Sequence, residues 1–279
     1  MFSPLTTDKL SWYHTHHDFQ RYAEFSSVEQ FFAYQQSAAS LGQKLYVLGN
    51  GSNTLFTRPV IETIIIRNAL PRSIEPLGDY RFKVSSSVPV MQLLRYCLKR
   101  QLDSFYYLAS VPAQVGGALA MNAGRGKNYH MSIYDYVESV SVLKEGKLMT
   151  WPRAELAIGF RSTPFTGIHG ELIADATFRF PPLMGEAGNP ILDRIRWARE
   201  HQEHQLPNCG SVFSEFSPLI MRLLKGHGCG AARWSPKTIN WLQNTGNATS
   251  ADLLTLIRQA QTLHRWLLRP CQPEVILVS

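Results

Sequence analysis

Apolar side chains at Leu253, Leu256, Ile257, Ala260, Leu263 and Leu267 repeat at intervals of three and four, which places them along one face of a helix. Thr249 stands three residues before Asp252, the separation at which a hydroxyl and a carboxylate cap each other's backbone amides, and Pro270 stops the run. Ser26-Ser27-Val28-Glu29 has the same spacing, Ser26 to Glu29, and predicts a helix to about Ala39. A third helix is expected from Pro89, with Leu93, Leu94, Cys97 and Leu98 on one face and its end before Ser104. Strict alternation marks strands instead. Leu172, Ala174, Ala176, Phe178 and Phe180 share one face until Pro181-Pro182 ends the run. Glu138, Val140 and Val142 alternate into the turn Lys144-Glu145-Gly146-Lys147, so Val137 to Trp151 reads as a hairpin. Leu45 to Leu48 and Thr63 to Ile66 are short β-rich runs separated by a polar loop, and with the helix before them they form an α-β-loop-β unit. Val275 to Val278 is a last short strand.

The chain is therefore mixed α and β, without an internal repeat. Its 279 residues, 44% of them hydrophobic, suffice for two or three packed subdomains. The cluster Pro181, Pro182, Gly185, Gly188 and Pro190 is the clearest break in composition and the expected domain boundary. No apolar stretch reaches the roughly 18 residues of a membrane span, and Met1 to Leu10 lacks a leader pattern, so a cytoplasmic protein without a membrane partner is expected. The net charge of +7 attracts anions, but no run of five basic residues points to nucleic acid or a lipid surface, which leaves a nucleotide diphosphate as the favoured partner. Cys97, Cys209, Cys229 and Cys271 form no CxxC pair and read as reduced, packed thiols. His14, His16 and His17, and the pair His201 and His204, raise the question of a metal; solvated histidines are the expected state, and no metal.

Two stretches are suited to a ligand. Gly49-Asn50-Gly51-Ser52-Asn53-Thr54 leaves a strand with glycines that let backbone amides approach an anion, although the same residues also make an ordinary surface turn. It lacks the third glycine and the following helix of a dinucleotide fingerprint. Val111-Pro112-Ala113-Gln114-Val115-Gly116-Gly117-Ala118-Leu119-Ala120-Met121-Asn122-Ala123-Gly124 combines tight backbone with small side chains, and either lies against a flat ligand or packs closely at Gly116-Gly117.

Taken together, these stretches resemble the UDP-N-acetylenolpyruvoylglucosamine reductase family. Leu48 to Leu55 is similar to its LGxGSNxL motif and Val111 to Gly124 to its IPGxVGGAxxMNAG motif. Ile158-Gly159-Phe160-Arg161-Ser162-Thr163-Pro164-Phe165 resembles its YRxSxF element, and Cys209-Gly210-Ser211-Val212-Phe213 its AGSxF element. Ser235 to Asn244, Gly246 to Thr249 and Pro273-Glu274-Val275 continue the series, so the likeness spans about 41 to 279 and fits the shorter subtype.

The resemblance implies an α+β FAD-binding fold of the vanillyl-alcohol oxidase type, with two α+β subdomains at 1–68 and 69–182. A C-terminal α+β substrate domain would occupy 183–279, its last strand returning to the first subdomain. It implies a monomeric enzyme that uses FAD and NADPH to reduce the enolpyruvyl ether of a UDP-sugar. Gly49, Asn50, Gly51, Ser52 and Asn53 would hold the pyrophosphate of FAD, and Gly116, Gly117, Asn122, Ala123 and Gly124 would line the same cofactor. Arg161 would face the substrate carboxylate, Ser211 would donate a proton, and Glu274 would share a proton beside that carboxylate. Read without the resemblance, the three are a surface arginine, a loop serine and a solvated carboxylate. Phe160 stands where the family has tyrosine, Ser214-Glu215 where it has lysine-asparagine, and Val111-Pro112-Ala113 where it has IPG. These departures keep two alternatives open: reduction of a different unsaturated acid, and a non-catalytic FAD-binding homologue.

Overall fold

A computed structural model describes residues 2–185 and 188–279; Met1, and Glu186 and Ala187 inside the expected Pro181–Pro190 boundary, lie outside the described residues. The chain divides into two compact units, one built from 23–50 and 65–196, the other from 2–22, 51–64 and 197–279.

The first unit is organised by an antiparallel sheet ordered Lys147–Pro152, Val137–Lys144, Leu172–Arg179, Arg81–Ser85, Ile74–Gly78. The alternation in its central strand sets the register, with Ala176 opposite Val84 and Phe178 opposite Phe82, and all five residues of the expected inner face are buried. Onto that face pack Val90, Leu93, Leu94 and Cys97 of the helix Val90–Lys99 and Val115, Ala118 and Leu119 of the short helix Val115–Ala120. Phe178 and Phe180 stack at 5.4 Å with Phe105 tilted against both, so aromatic area anchors this core. The helix Val28–Ser40 also belongs here, and its cap differs from expectation by one residue. Ser27 has the extended backbone of a cap, so its oxygen accepts from the Gln30 amide, and Gln30 Oε1 reaches back to the Ser26 amide at 2.8 Å. Glutamine does here what Glu29 was expected to do.

In the second unit Ser3–Thr7 pairs antiparallel with His17–Phe25, Val60–Ile61 pairs parallel with Asp18 and Phe19, and Thr54–Phe56 pairs parallel with Ile276–Val278. The helix Ser250–Trp266 carries the full Thr249–Asp252 capping box and buries Leu253, Leu256, Ile257 and Ala260 among Ile220, Met221, Trp234 and Leu242. Leu267 departs from its expected stripe: the helix ends at Trp266, and Leu267 is exposed. The inward place in the last turn is taken by His264, fully buried, whose Nδ1 donates to the Ala260 carbonyl while Nε2 accepts the Ser217 amide.

His17 also departs from the expectation of solvated histidines. It is buried, its Nδ1 donates to the Arg58 carbonyl, Nε2 is hydrogen-bonded to Thr15 at 2.7 Å, and its ring meets Phe56 edge-on. Burial lowers its pKa, and it sits in a strand because both ring nitrogens find partners there. Among the described residues no cluster of three or more His, Cys, Asp or Glu is placed to hold a metal, and no helix is long and apolar enough to cross a membrane.

Candidate active site

In the first unit the two glycine-rich stretches meet. The Asn50 side chain, two residues beyond the strand Leu45–Leu48, donates to the Pro112 carbonyl at 2.7 Å. A Cβ on Gly49 would lie 3.3 Å from Gln114 Oε1, so this strand exit faces the entry to the helix Val115–Ala120. The Gly116 amide donates to the Ser86 carbonyl, and a Cβ there would stand 2.8 Å from Ser86 Cβ. A Cβ on Gly124 would meet the Met131 carbonyl oxygen at 2.1 Å. Both glycines are thus required by packing within the protein. Gly117 is different: it is exposed, and a Cβ would meet nothing within 4 Å. The Gly116-Gly117 pair therefore divides its work, one glycine packing the helix down and the other leaving its outer side bare.

Asn122 is buried in the left-handed region at φ 43° and donates to the Gly159 carbonyl at 2.7 Å. Gly159 and Ser162 exchange backbone hydrogen bonds of 2.9 and 3.2 Å, which close a tight turn with Arg161 at φ 54° near its tip. The half-buried guanidinium donates to the Asn122 carbonyl at 3.1 Å and the Gly124 carbonyl at 2.8 Å, and lies over the Phe160 ring at 5.1 Å. Arg161 is therefore no loose surface arginine. Two carbonyl oxygens aim its fork without acting as counter-ions, an arrangement suited to a planar anion.

Around the same motif three buried polar atoms lack a hydrogen-bond partner among the described residues: Tyr107 Oη, Gln114 Oε1 and Asn122 Oδ1. Burial pushes the Tyr107 pKa up, so its hydroxyl stays a donor. Each orphaned group costs about 1–3 kcal/mol, and native folds keep few of them. An open glycine and unsatisfied polar atoms in and around one motif are features that a flat ligand bearing nitrogen and oxygen would use.

In the second unit Gly51, at φ 67°, crosses the N-terminal segment so closely that a Cβ would lie 2.1 Å from the Leu10 carbonyl oxygen, and its own carbonyl accepts the Trp12 amide at 3.1 Å. Ser52 follows, half-buried. The Asn53 side chain donates to the Glu274 carbonyl at 3.1 Å, and the Glu274 amide donates to the Val212 carbonyl at 2.8 Å. Ser211 is the residue before Val212 and forms a β-bridge with Trp241. The unit thus brings the Asn53 side chain to the Glu274 backbone, and that backbone to Val212, the neighbour of Ser211.

Several contributors escape the sequence. Cys209 Sγ lies 3.6 Å from the Thr54 carbonyl and 3.7 Å from that of Gly51, tying the serine loop to the glycine loop. Burial pushes its thiol up to about 12, so it packs and is no nucleophile. Asn240, at φ 64°, clamps both backbone groups of Phe213, donating at 2.8 Å and accepting at 3.0 Å. An asparagine tolerant of positive φ is the only signal that marks it. Tyr107 carries no signal at all.

Comparison with known proteins identifies the family. Residues 19–150 match a family model described as an FAD binding domain, and 201–263 match one described as the C-terminal domain of UDP-N-acetylenolpyruvoylglucosamine reductase. The reductase of that name from Methylococcus capsulatus is 32% identical over 94% of this chain and 86% of its own length. Its counterpart from Aquifex aeolicus is 31% identical over 86% of this chain and 82% of its own. The crystal structure of the Thermus caldophilus enzyme superposes with a TM-score of 0.75, covering both chains completely at 23% identity, which shows a shared fold.

Proposed function

Because the chain belongs to the UDP-N-acetylenolpyruvoylglucosamine reductase family, we propose that it is the FAD-dependent, NADPH-driven reductase that converts enolpyruvyl-UDP-N-acetylglucosamine to UDP-N-acetylmuramate. The observation that carries this reading is Arg161, whose guanidinium is pinned by the Asn122 and Gly124 carbonyls of the same motif that holds the open Gly117.

Gly49 to Asn53 would hold the FAD pyrophosphate through backbone amides, and Gly116, Gly117, Asn122, Ala123 and Gly124 would line the cofactor. Gly117 has the open side this requires, and the orphaned Gln114 and Asn122 oxygens would be acceptors for polar hydrogens of the group. When bound, FAD supplies the hydride chemistry, recharged by NADPH. The chain's own residues handle charge and protons. Arg161 binds the substrate carboxylate and stabilises the additional negative charge that builds up as the double bond becomes electron-rich. Ser211 would deliver a proton from Oγ to the carbon of the double bond left electron-rich when hydride adds to its other end. Glu274 would share a proton beside the substrate carboxylate, so that the two groups do not repel. We assign 1–68 and 69–182 to the cofactor and 183–279 to the substrate; the strand Ile276–Val278 runs beside Thr54–Phe56 of the first part. We assign the protein to the cytoplasm, as a monomer, in cell-wall precursor synthesis that supports cell shape and division.

Purified protein is expected to release FAD, to bleach with NADPH under anaerobic conditions, and to recover its yellow colour on addition of enolpyruvyl-UDP-N-acetylglucosamine. Bleaching without recovery would reassign the substrate. Arg161→Lys keeps the charge but cannot span both carbonyls or present a fork. It is expected to retain flavin and the NADPH step, while kcat/KM for the substrate falls about 100-fold, partly through KM. Unchanged steady-state constants would remove Arg161 from the substrate.

A further inference from the structure

Five large apolar side chains stand in solvent where two elements of the second unit end. Leu219 is 69% exposed and Leu223 83%, one turn apart on the short helix Pro218–Leu223. Trp266 is 73% exposed, Leu267 59% and Leu268 92%, at the end of the helix Ser250–Trp266. The Ser217 amide bonds the ring of His264 at 2.9 Å, so the start of the short helix lies against the last turn of the long one and the two sets are neighbours.

Leu268 is the most informative of them. The Arg269 amide donates to the His264 carbonyl at 2.8 Å and the Leu268 amide to the Arg265 carbonyl at 3.1 Å, a helix-ending motif whose left-handed residue is Leu268 at φ 51°. Glycine fits that backbone without steric penalty, and a leucine there is strained and gains nothing from burial. Nothing among the described residues accounts for a leucine there. Within the two segments the charges have one sign, with Glu215 just outside them. Between Ser217 and His227 lie Arg222 and Lys225, between His264 and Pro270 lie Arg265 and Arg269, and neither segment contains an aspartate or glutamate.

We propose that this patch docks the protein reversibly on an anionic lipid bilayer. Protruding leucines and a tryptophan enter the boundary between headgroups and acyl chains, and the four cations meet the anionic headgroups. A protein partner would need shaped pockets to receive side chains as fully exposed as Leu268 and Leu223, whereas a fluid lipid surface accommodates them without preformed shape. Read along the chain, the four cations never form a run, which is why the sequence alone shows no membrane partner.

The test is co-sedimentation of the flavin-loaded 279-residue chain with vesicles of phosphatidylglycerol and phosphatidylcholine, or of phosphatidylcholine alone. Binding to the anionic vesicles is expected to be roughly tenfold stronger and to weaken with salt. Leu268→Gly relieves the strained backbone, so its melting temperature should rise while vesicle binding falls several-fold; Leu223→Glu should abolish binding in a folded protein. Equal binding to both vesicle types, no binding to either, or binding unaltered in Leu268→Gly would overturn the proposal. So would sedimentation velocity showing a dimer that Leu268→Gly dissociates, since the face would then join two copies of the chain.

Discussion

Ser211→Ala is expected to leave flavin reduction by NADPH at its normal rate and to slow reoxidation by the enolpyruvyl substrate at least about 100-fold, the usual scale for loss of a general acid. Proton delivery belongs to the second half-reaction alone, so the two halves respond separately. The structure makes the result interpretable, because the loop does not depend on the hydroxyl. Ser211 is bridged to Trp241 through backbone, and Val212 is held through its amide to Asn240 and through its carbonyl to the Glu274 amide. Alanine satisfies the same backbone conformation. Stopped-flow absorbance of the flavin reads each half in turn. Equal slowing of both halves, or of neither, would mark the serine as structural and leave the proton donor to be sought elsewhere.

The regular elements were legible because local periodicity dictated them. Leu172 to Phe180 alternates over a full strand, and the Thr249–Asp252 box opens a long amphipathic helix, so both formed where the residues placed them. Where the reading slipped, a tertiary or cap choice decided between near-equivalent neighbours: Ser27 with Gln30 over Ser26 with Glu29, and His264 inward in place of Leu267. The candidate site was legible as motifs, since short glycine-rich and polar strings carry a backbone requirement that sequence can show. What held those strings in place was not. The Asn50 bond to Pro112 crosses 62 residues, and Cys209 reaches Gly51 across 158, separations over which no local pattern survives. His17 was read as solvated because polarity is local, whereas its partners Thr15 and Arg58 are assembled only by the fold.

The glycines must be tested with that distinction in mind, and Gly51 and Gly117 are expected to fail in opposite ways. Gly51→Val places a β-branched side chain at φ 67° with its Cβ 2.1 Å from the Leu10 carbonyl oxygen. The segment around Leu10 to Tyr13 must move, at a cost of several kcal/mol, and flavin is lost because the protein is no longer folded there. Such a loss says nothing about a phosphate. Gly117→Leu places a Cβ that meets no protein atom within 4 Å, sits in a helix that favours leucine over glycine, and should leave the melting temperature unchanged or raise it. If FAD lies against this face, the new side chain occupies the space of the cofactor and its Kd rises about 100-fold or more, equivalent to some 2.7 kcal/mol. Thermal melting by circular dichroism, paired with flavin titration followed by fluorescence quenching, separates fold from site. A Gly117→Leu protein that is stable and binds FAD with the affinity of the parent would move the cofactor away from the glycine face.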